Sequence, residues 1–232
     1  VVIVRKTEKT EVMILGTLHG IHKDNKFYSY DDIFLIIDKY KPDIIGVEIR
    51  NEDILQQRKY LEKYYPYEMI EAKFRYEDDC KIYGFDWLGD TIKDKLIPDK
   101  YFETLDVKTL EKQFDSIDGY VKEKNMIKII DNIRIPLIIN HTSEECNNGK
   151  YDLLVDVLYN QLEEMFKDTP FEKMSSFYIE RDKQISKNII NIIKNNIGQR
   201  IIFLTGIDHR AFAIKAIREY FKDEIVLKEI YN

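Results

Sequence analysis

The 232-residue chain predicts an α/β fold, a central mixed, largely parallel sheet flanked by helices, with a site at the carboxyl ends of the strands. Three observations carry this reading. Short β-branched runs alternate with amphipathic stretches of helical period, as in sheets whose strands are joined through helices. Four of the runs, "VMILG", "IIGV", "IYGF" and "IIFLTG", end on or just before a residue able to do chemistry. The carboxyl ends of strands in open α/β sheets form one rim, and ligands bind in the crevice there.

Taken in order, the first strand candidates are Val1 to Arg5 and Glu11 to Leu15, a hairpin across "KTEKT". After Ser29, a good N-cap, Ile33, Ile36, Ile37 and Tyr40 fall at helical spacing until Pro42 stops the helix. "DIIGVE" (43–48) reads as a buried strand, followed by helical stretches at 52–62 and 66–78 and a strand "KIYGFD" (81–86). Within 95–150, "VKTLEKQFDSIDGYVKEK" is helical and "NHTSEECNNGK" is a loop. Helices at 151–168 and 176–196, strand "RIIFLTG" (200–206), a helix at 209–222 and a last strand "EIVLKEI" complete the chain.

The length suits one domain over 1–232, with 95–175 as a more variable, mainly helical insert; such a chain buries roughly 70% of its unfolded surface. Lys and Arg total 36 against 42 Asp and Glu, a net charge of −6, with no block of like charge. This argues against a nucleic-acid or anionic-membrane partner. Cys80 and Cys146 form no C-x-x-C pair and read as two reduced thiols, with a single disulfide between them as the alternative. No apolar run approaches the ~20 residues of a membrane helix. The expected location is the cytoplasm, although the chain opens on Val1 and an export signal ahead of it stays open.

The strand-end residues are His19, Glu48, Asp86 and the pair Asp208 and His209. Singly, each has a better structural reading: a turn histidine, an edge glutamate paired with Arg50 or a lysine, a turn aspartate, and for Asp208 the N-cap of the last helix. Two motifs change the balance. "GTLH" (16–19) and "GIDH" (206–209) each place a histidine three residues after a strand-end glycine, and they hold two of only four histidines in the chain. Glycine suits a sharp exit from a strand, by its φ or by close approach, so that each histidine turns back over the strand ends. His209 begins a stripe of Ala213, Ile217 and Tyr220, and the helix N-terminus there favours a neutral imidazole. Extending the stripe Ile193, Ile192, Ile189 and Ile185 back one turn reaches Arg181. A cation on a buried stripe needs a carboxylate, and Glu48 and Asp86 are the candidates; the alternative is a first turn already at the surface with Arg181 solvated.

These residues resemble the TraB/TIKI superfamily, which also takes in erythromycin-esterase-like and ChaN-like proteins. The resemblance rests on "GTLH", on "KPDIIGVEIR" (41–50), on "YEMIEAKFRYEDDCKIYGFD" (67–86), on "ERDKQISKNI" (180–189) and on "GIDH". It implies an α/β fold whose site is lined by His19, Glu48, Arg181 and His209, with Glu68, Asp86, Glu180, Asp182 and Asp208 around them. In the TIKI branch such a site looks like a metal-dependent protease; TraB-type proteins are associated with shutdown of peptide pheromone signalling. The chain departs from the membrane-anchored members in showing no hydrophobic tail within its 232 residues, and from the standalone bacterial members in a shortened, Tyr-rich middle. His22 and His141 have no counterpart in the motifs and read as surface residues.

Two histidines and a carboxylate would suit Zn²⁺, Mn²⁺ or Co²⁺ with open positions. The expectation is a metallohydrolase of peptidase type. His19, Glu48 and His209 would be the metal ligands, Glu48 the alternative base for a metal-bound water, and Arg181 the oxyanion stabiliser. Two alternatives stand beside it. One is a metal-free hydrolase of small esters or amides, with His19 or His209 as general base oriented by Glu48. The other is a peptide-binding cleft without turnover.

Overall fold

The computed structural model describes residues 9–230. In chain order the elements are β1 (Thr10–Thr17), α1 (Tyr30–Tyr40), β2 (Ile44–Arg50), α2 (Arg58–Leu61), α3 (Tyr67–Tyr76) and β3 (Lys81–Asp86). A run of helices expected as an insert follows as α4 (Tyr101–Thr104), α5 (Asp106–Ser116), α6 (Val121–Arg134), α7 (Ser143–Cys146) and α8 (Lys150–Phe166). The chain then runs through α9 (Glu172–Lys194), β4 (Arg200–Gly206), α10 (Ile207–Phe221) and β5 (Ile225–Lys228).

The strands form one sheet in the order β3-β2-β4-β1-β5, and every pairing among the described residues is parallel. The other arm of the expected hairpin, 1–5, lies outside those residues. Because crossovers between parallel strands are right-handed, the direction of travel along the sheet decides which face each helix covers. The steps β1 to β2 and β2 to β3 run one way, and α1 and α3 pack on one face with Met13, Leu15, Ile45, Val47, Ile202 and Leu204. The steps β3 to β4 and β4 to β5 run back, and α9 and α10 cover the other face with Val12, Ile14, Ile44, Ile201 and Phe203. The strict alternation along each strand between the two cores is the period-2 geometry of a sheet buried on both sides. The chain leaves the adjacent strands β1 and β4 toward opposite faces, so a crevice opens between their ends.

The helix after Ser29 starts with a complete capping box to Asp32 and ends with Lys41 in the left-handed region just before Pro42. Three expectations change. The helix at 52–62 shrinks to Arg58–Leu61, because the chain wraps around the buried Asp53, which accepts from Arg50 Nε at 2.7 Å, Tyr60 Oη at 3.0 Å and Tyr65 Oη at 2.5 Å. The loop expected at 140–150 contains α7, started by a capping box of Thr142 and Glu145. On α10 the inward stripe continues to Phe221 rather than Tyr220, which is exposed. Both cysteines are free, and no helix among the described residues is long and apolar enough to cross a membrane. The insert carries a satellite core of Phe114, Phe166 and Phe171.

Candidate active site

Strand parity sends the rim residues to two faces, and the site straddles the sheet edge as a result. Thr17 shares the β1 face of Met13 and Leu15, where α3 packs, and its hydroxyl donates to Glu68 Oε1 at 2.9 Å. The same oxygen lies 2.7 Å from Nδ1 of His19. Glu48 and Thr205 lie instead on the parity of Ile44 and Phe203, facing α9 and α10. Glu48 Oε2 accepts from Thr205 Oγ1 at 3.0 Å and from the Gly206 N–H at 2.5 Å. From α9, Arg181 Nη2 donates to Glu48 Oε1 and to Asp86 Oδ1, each at 2.8 Å, and Nε donates to Asp86 Oδ1 at 3.1 Å and to the Trp87 carbonyl at 3.2 Å. From α10, His209 places Nε2 2.9 Å from Arg181 Nη1 and Nδ1 2.5 Å from Asp182 Oδ1.

The glycines of the two motifs act crosswise. In the parallel register Gly16 pairs with Thr205 and Thr17 with Gly206. A β-carbon on Gly206 would stand 2.7 Å from Nε2 of His19, and one on Gly16 would stand 2.9 Å from Cγ1 of Ile207. Each glycine makes room for the other motif's segment, so close approach, rather than a positive φ, is what requires it. The positive φ belongs to His19 itself, at 49°, one turn-forming residue that swings the ring back over β4.

The charges are unequal in their access. The His19 side chain is 41% exposed, whereas Arg181, Glu48, Asp86, Glu68, Asp182 and His209 are all largely enclosed. Burial works against a charge on His19, but the hydrogen bond to Glu68 and the field of Glu48 outweigh it and hold its pKa above the ordinary imidazole value. Burial likewise opposes a charge on His209, yet Glu48 and Asp182 raise its pKa against the pull of Arg181. Arginine can only donate, so Nε2 of His209, 2.9 Å from Arg181 Nη1, accepts as the neutral imidazole expected from the helix terminus, with Nδ1–H on Asp182. Burial would lift Glu48, but His209, Arg181 and His19 bring it down to about 2. Asp86 and Asp182 go the other way, burial pushing both up. Arg181 and its carboxylates form a fixed ionic plate under the rim, and His19 is the most exposed group on it.

Of the residues singled out in the sequence, His19, Glu48, Glu68, Asp86, Arg181, Asp182 and His209 converge. Glu180 does not; it accepts from Gln184 Nε2 at 2.7 Å and faces a neighbouring cleft. Asp208 is not the N-cap either, since α10 already starts at Ile207. Its carboxylate turns outward to Arg134 Nη1 at 2.7 Å and Tyr151 Oη at 2.6 Å. His22, expected at the surface, is 1% exposed. Its Nε2 accepts from the Leu18 N–H at 2.6 Å and its Nδ1 donates to the Tyr28 carbonyl at 2.7 Å, which braces the loop that carries His19. His141 stays at the surface beside Glu145. Sequence reading missed Asn147, whose side chain bonds both the N–H and the carbonyl of Gly16, at 2.7 and 3.2 Å.

The ligand set expected for Zn²⁺, Mn²⁺ or Co²⁺ does not fit this arrangement. The Arg181 guanidinium stands between His209 Nε2 and Glu48 Oε1 and donates to both. Among the described residues no three His, Cys, Asp or Glu side chains are grouped to hold an ion. A second cation at Glu48 and His209 would meet Arg181 at contact distance, a repulsion that the low dielectric of the site makes costly.

No known family profile matches the chain, and no curated protein matches it. Among solved structures it is similar to a mutant erythromycin esterase, EreC, in its open conformation, at 15% identity and a TM-score of 0.33 over 88% of this chain. The match spans 60% of that protein's length.

Proposed function

We propose that this protein hydrolyses an ester or amide with His19 as general base on water and without a resident metal ion. The observation that carries the reading is the Glu68–His19 pair. Glu68 binds Nδ1 at 2.7 Å, fixes the tautomer with its proton there, and leaves the Nε2 lone pair above Gly206 and beside Glu48, on a side chain that is 41% exposed. Glu68, rather than the Glu48 expected from the sequence, is the orienting carboxylate.

In this reading water attacks the carbonyl carbon as its proton passes to His19 Nε2. The tetrahedral oxyanion forms against Arg181, which has one Nη1 N–H beyond those bound to His209, Glu48 and Asp86. Collapse breaks the bond from carbon to the leaving oxygen or nitrogen, and the His19 imidazolium returns the proton to the departing group. Acid and alcohol or amine are the products, and His19 ends neutral. A covalent nucleophile is not favoured. Thr17 and Thr205 are buried and bound to Glu68 and Glu48, and burial pushes the Cys146 thiol up to about 12.

Hydrolysis of 4-nitrophenyl butyrate after dialysis against EDTA tests the reading. Turnover that survives chelation and falls at least about 10²-fold in His19→Ala supports it. Turnover that vanishes with chelator and returns with Zn²⁺, Mn²⁺ or Co²⁺ supports the metallohydrolase instead.

A further inference from the structure

Beside the ionic plate lies a cleft of about 520 Å³ that the chemistry above does not use. Its volume falls within the ~300–1,000 Å³ of small-molecule sites. Three segments enclose it: the turn after β3 at Trp87–Gly89, the start of the insert at Tyr101–Val107, and the first half of α9 from Lys173 to Glu180. The cleft begins where the catalytic rim ends. Arg181, bound to Asp86, also donates to the Trp87 carbonyl at 3.2 Å, and Trp87 and Glu180 are the chain neighbours of that ion pair.

The lining divides by chemistry. Trp87 and Phe177, with ring centroids 6.1 Å apart, form an aromatic wall, and Leu88, Tyr101 and Val107 are buried around it. The charged groups sit at the rim and are mostly acidic: Asp90, Asp106 and Glu180 against Lys173. An apolar floor rewards burial of apolar surface, and the excess of carboxylates repels an anionic ligand.

We infer that the cleft beside Trp87 is the specificity pocket of this site and takes a bulky, uncharged apolar group of the scissile ester or amide. The inference rests on the hydrolase reading, while occupancy of the cleft is testable without turnover. The substrate class is then a hydrophobic ester or amide, and short or acidic acyl groups are poor substrates.

Trp87 is the sole tryptophan of the chain, so its fluorescence reports on this cleft. The full chain is titrated with 4-phenyl-2-butanone, an uncharged ketone that is not hydrolysed, and with 4-phenylbutyrate as the anionic control. Hydrolysis of 4-nitrophenyl octanoate and acetate is measured alongside. The blocking variant is Ser176→Phe, which adds a ring from an exposed position of α9 that lines the cleft. The inference expects saturable change in Trp87 emission with the ketone, at least tenfold weaker with the anion and in the variant. It also expects kcat/KM for octanoate to exceed that for acetate by at least about tenfold, given the worth of each buried methylene, with Ser176→Phe removing that preference and sparing acetate. No saturable emission change, or equal response in Ser176→Phe, overturns the inference even if both esters are hydrolysed. Saturable, variant-sensitive binding with no hydrolysis of either ester keeps the cleft as an apolar ligand site and removes the hydrolase reading.

Discussion

His19 Nε2 stands 2.7 Å from the position a β-carbon would take on Gly206. The two motifs that flank the site are therefore interlocked, the glycine of one vacating the space that the histidine of the other fills. Gly206→Ala displaces the far end of a side chain, not the backbone, so its effect falls on activity. We expect a loss of about 10²-fold in kcat/KM with stability within about 1 kcal/mol of wild type. Gly16→Ala instead drives a methyl against Ile207 and Arg210 in the packed interior, and the expected cost is about 1–3 kcal/mol. Paired urea denaturation and steady-state kinetics separate the two; equal loss of stability in both variants contradicts the crosswise arrangement.

Arg181 pairs with two buried carboxylates, Glu48 and Asp86. Arg181→Ala leaves Asp86 without its cation and Glu48 with only the Thr205 and Gly206 donors and the two histidines, and is expected to cost about 3–5 kcal/mol. Adding Asp86→Asn removes one stranded charge, so the double variant should be more stable than Arg181→Ala alone. Arg181→Lys keeps a charge but loses the planar fork; a fall of about 10²-fold in kcat with the fold intact is expected. Thermal denaturation of the three variants decides the matter, and a double variant less stable than Arg181→Ala contradicts the pairing.

The acid limb of stability carries the signature of Glu48. Its pKa is lowered to about 2 in the folded protein, so its contribution is fully present above the unfolded value of about 4.3 and is lost as pH falls toward 2. Burial raises Asp86 and Asp182, which favour the folded state as they take up protons and so oppose this trend. The difference between wild type and Glu48→Gln isolates the term. It should be on the order of 3 kcal/mol near neutrality and shrink between pH 4.5 and 2; a difference independent of pH over that window contradicts the assignment.

Asn147 satisfies both peptide groups of Gly16 where β5, paired with β1 only from Thr10 to Met13, has already ended. Asn147→Ala strands the Gly16 N–H, whereas the carbonyl keeps Tyr28 Oη at 2.8 Å. The expected loss is about 1–3 kcal/mol, measured by urea denaturation. A change within about 0.5 kcal/mol means that the insert does not brace β1.

The rim was legible in the amino-acid order because parallel strands place their carboxyl ends together, and the four runs each ended in glycine or a titratable residue. The cation on the Ile185 and Ile189 stripe pointed correctly to a buried carboxylate partner. What could not be read was which polar group meets which. Glu180 and Asp182 flank Arg181, but successive residues on a helix point about 100° apart, so one faces the cleft and the other His209. Strand parity turns Thr17 toward Glu68, but His19 lies past the end of β1 and reaches Glu68 through the turn made by its own positive φ, which no pattern in the sequence announces. His22 and Asn147 lie in stretches with no hydrophobic period, where burial is set by contacts distant in sequence.

The central claim is that Glu68 makes His19 a general base, and the pH dependence of kcat/KM for 4-nitrophenyl octanoate in wild type and Glu68→Gln tests it most directly. The His19 pKa is raised above 6.5 in the folded protein, so wild-type activity should rise with pH through an apparent pKa above that value, as the ring loses its proton. Glutamine still accepts from Nδ1 but withdraws the negative charge, so Glu68→Gln should lower the apparent pKa and reduce the plateau rate. The same apparent pKa in both proteins, or a rate that does not depend on pH between 5 and 9, contradicts the account.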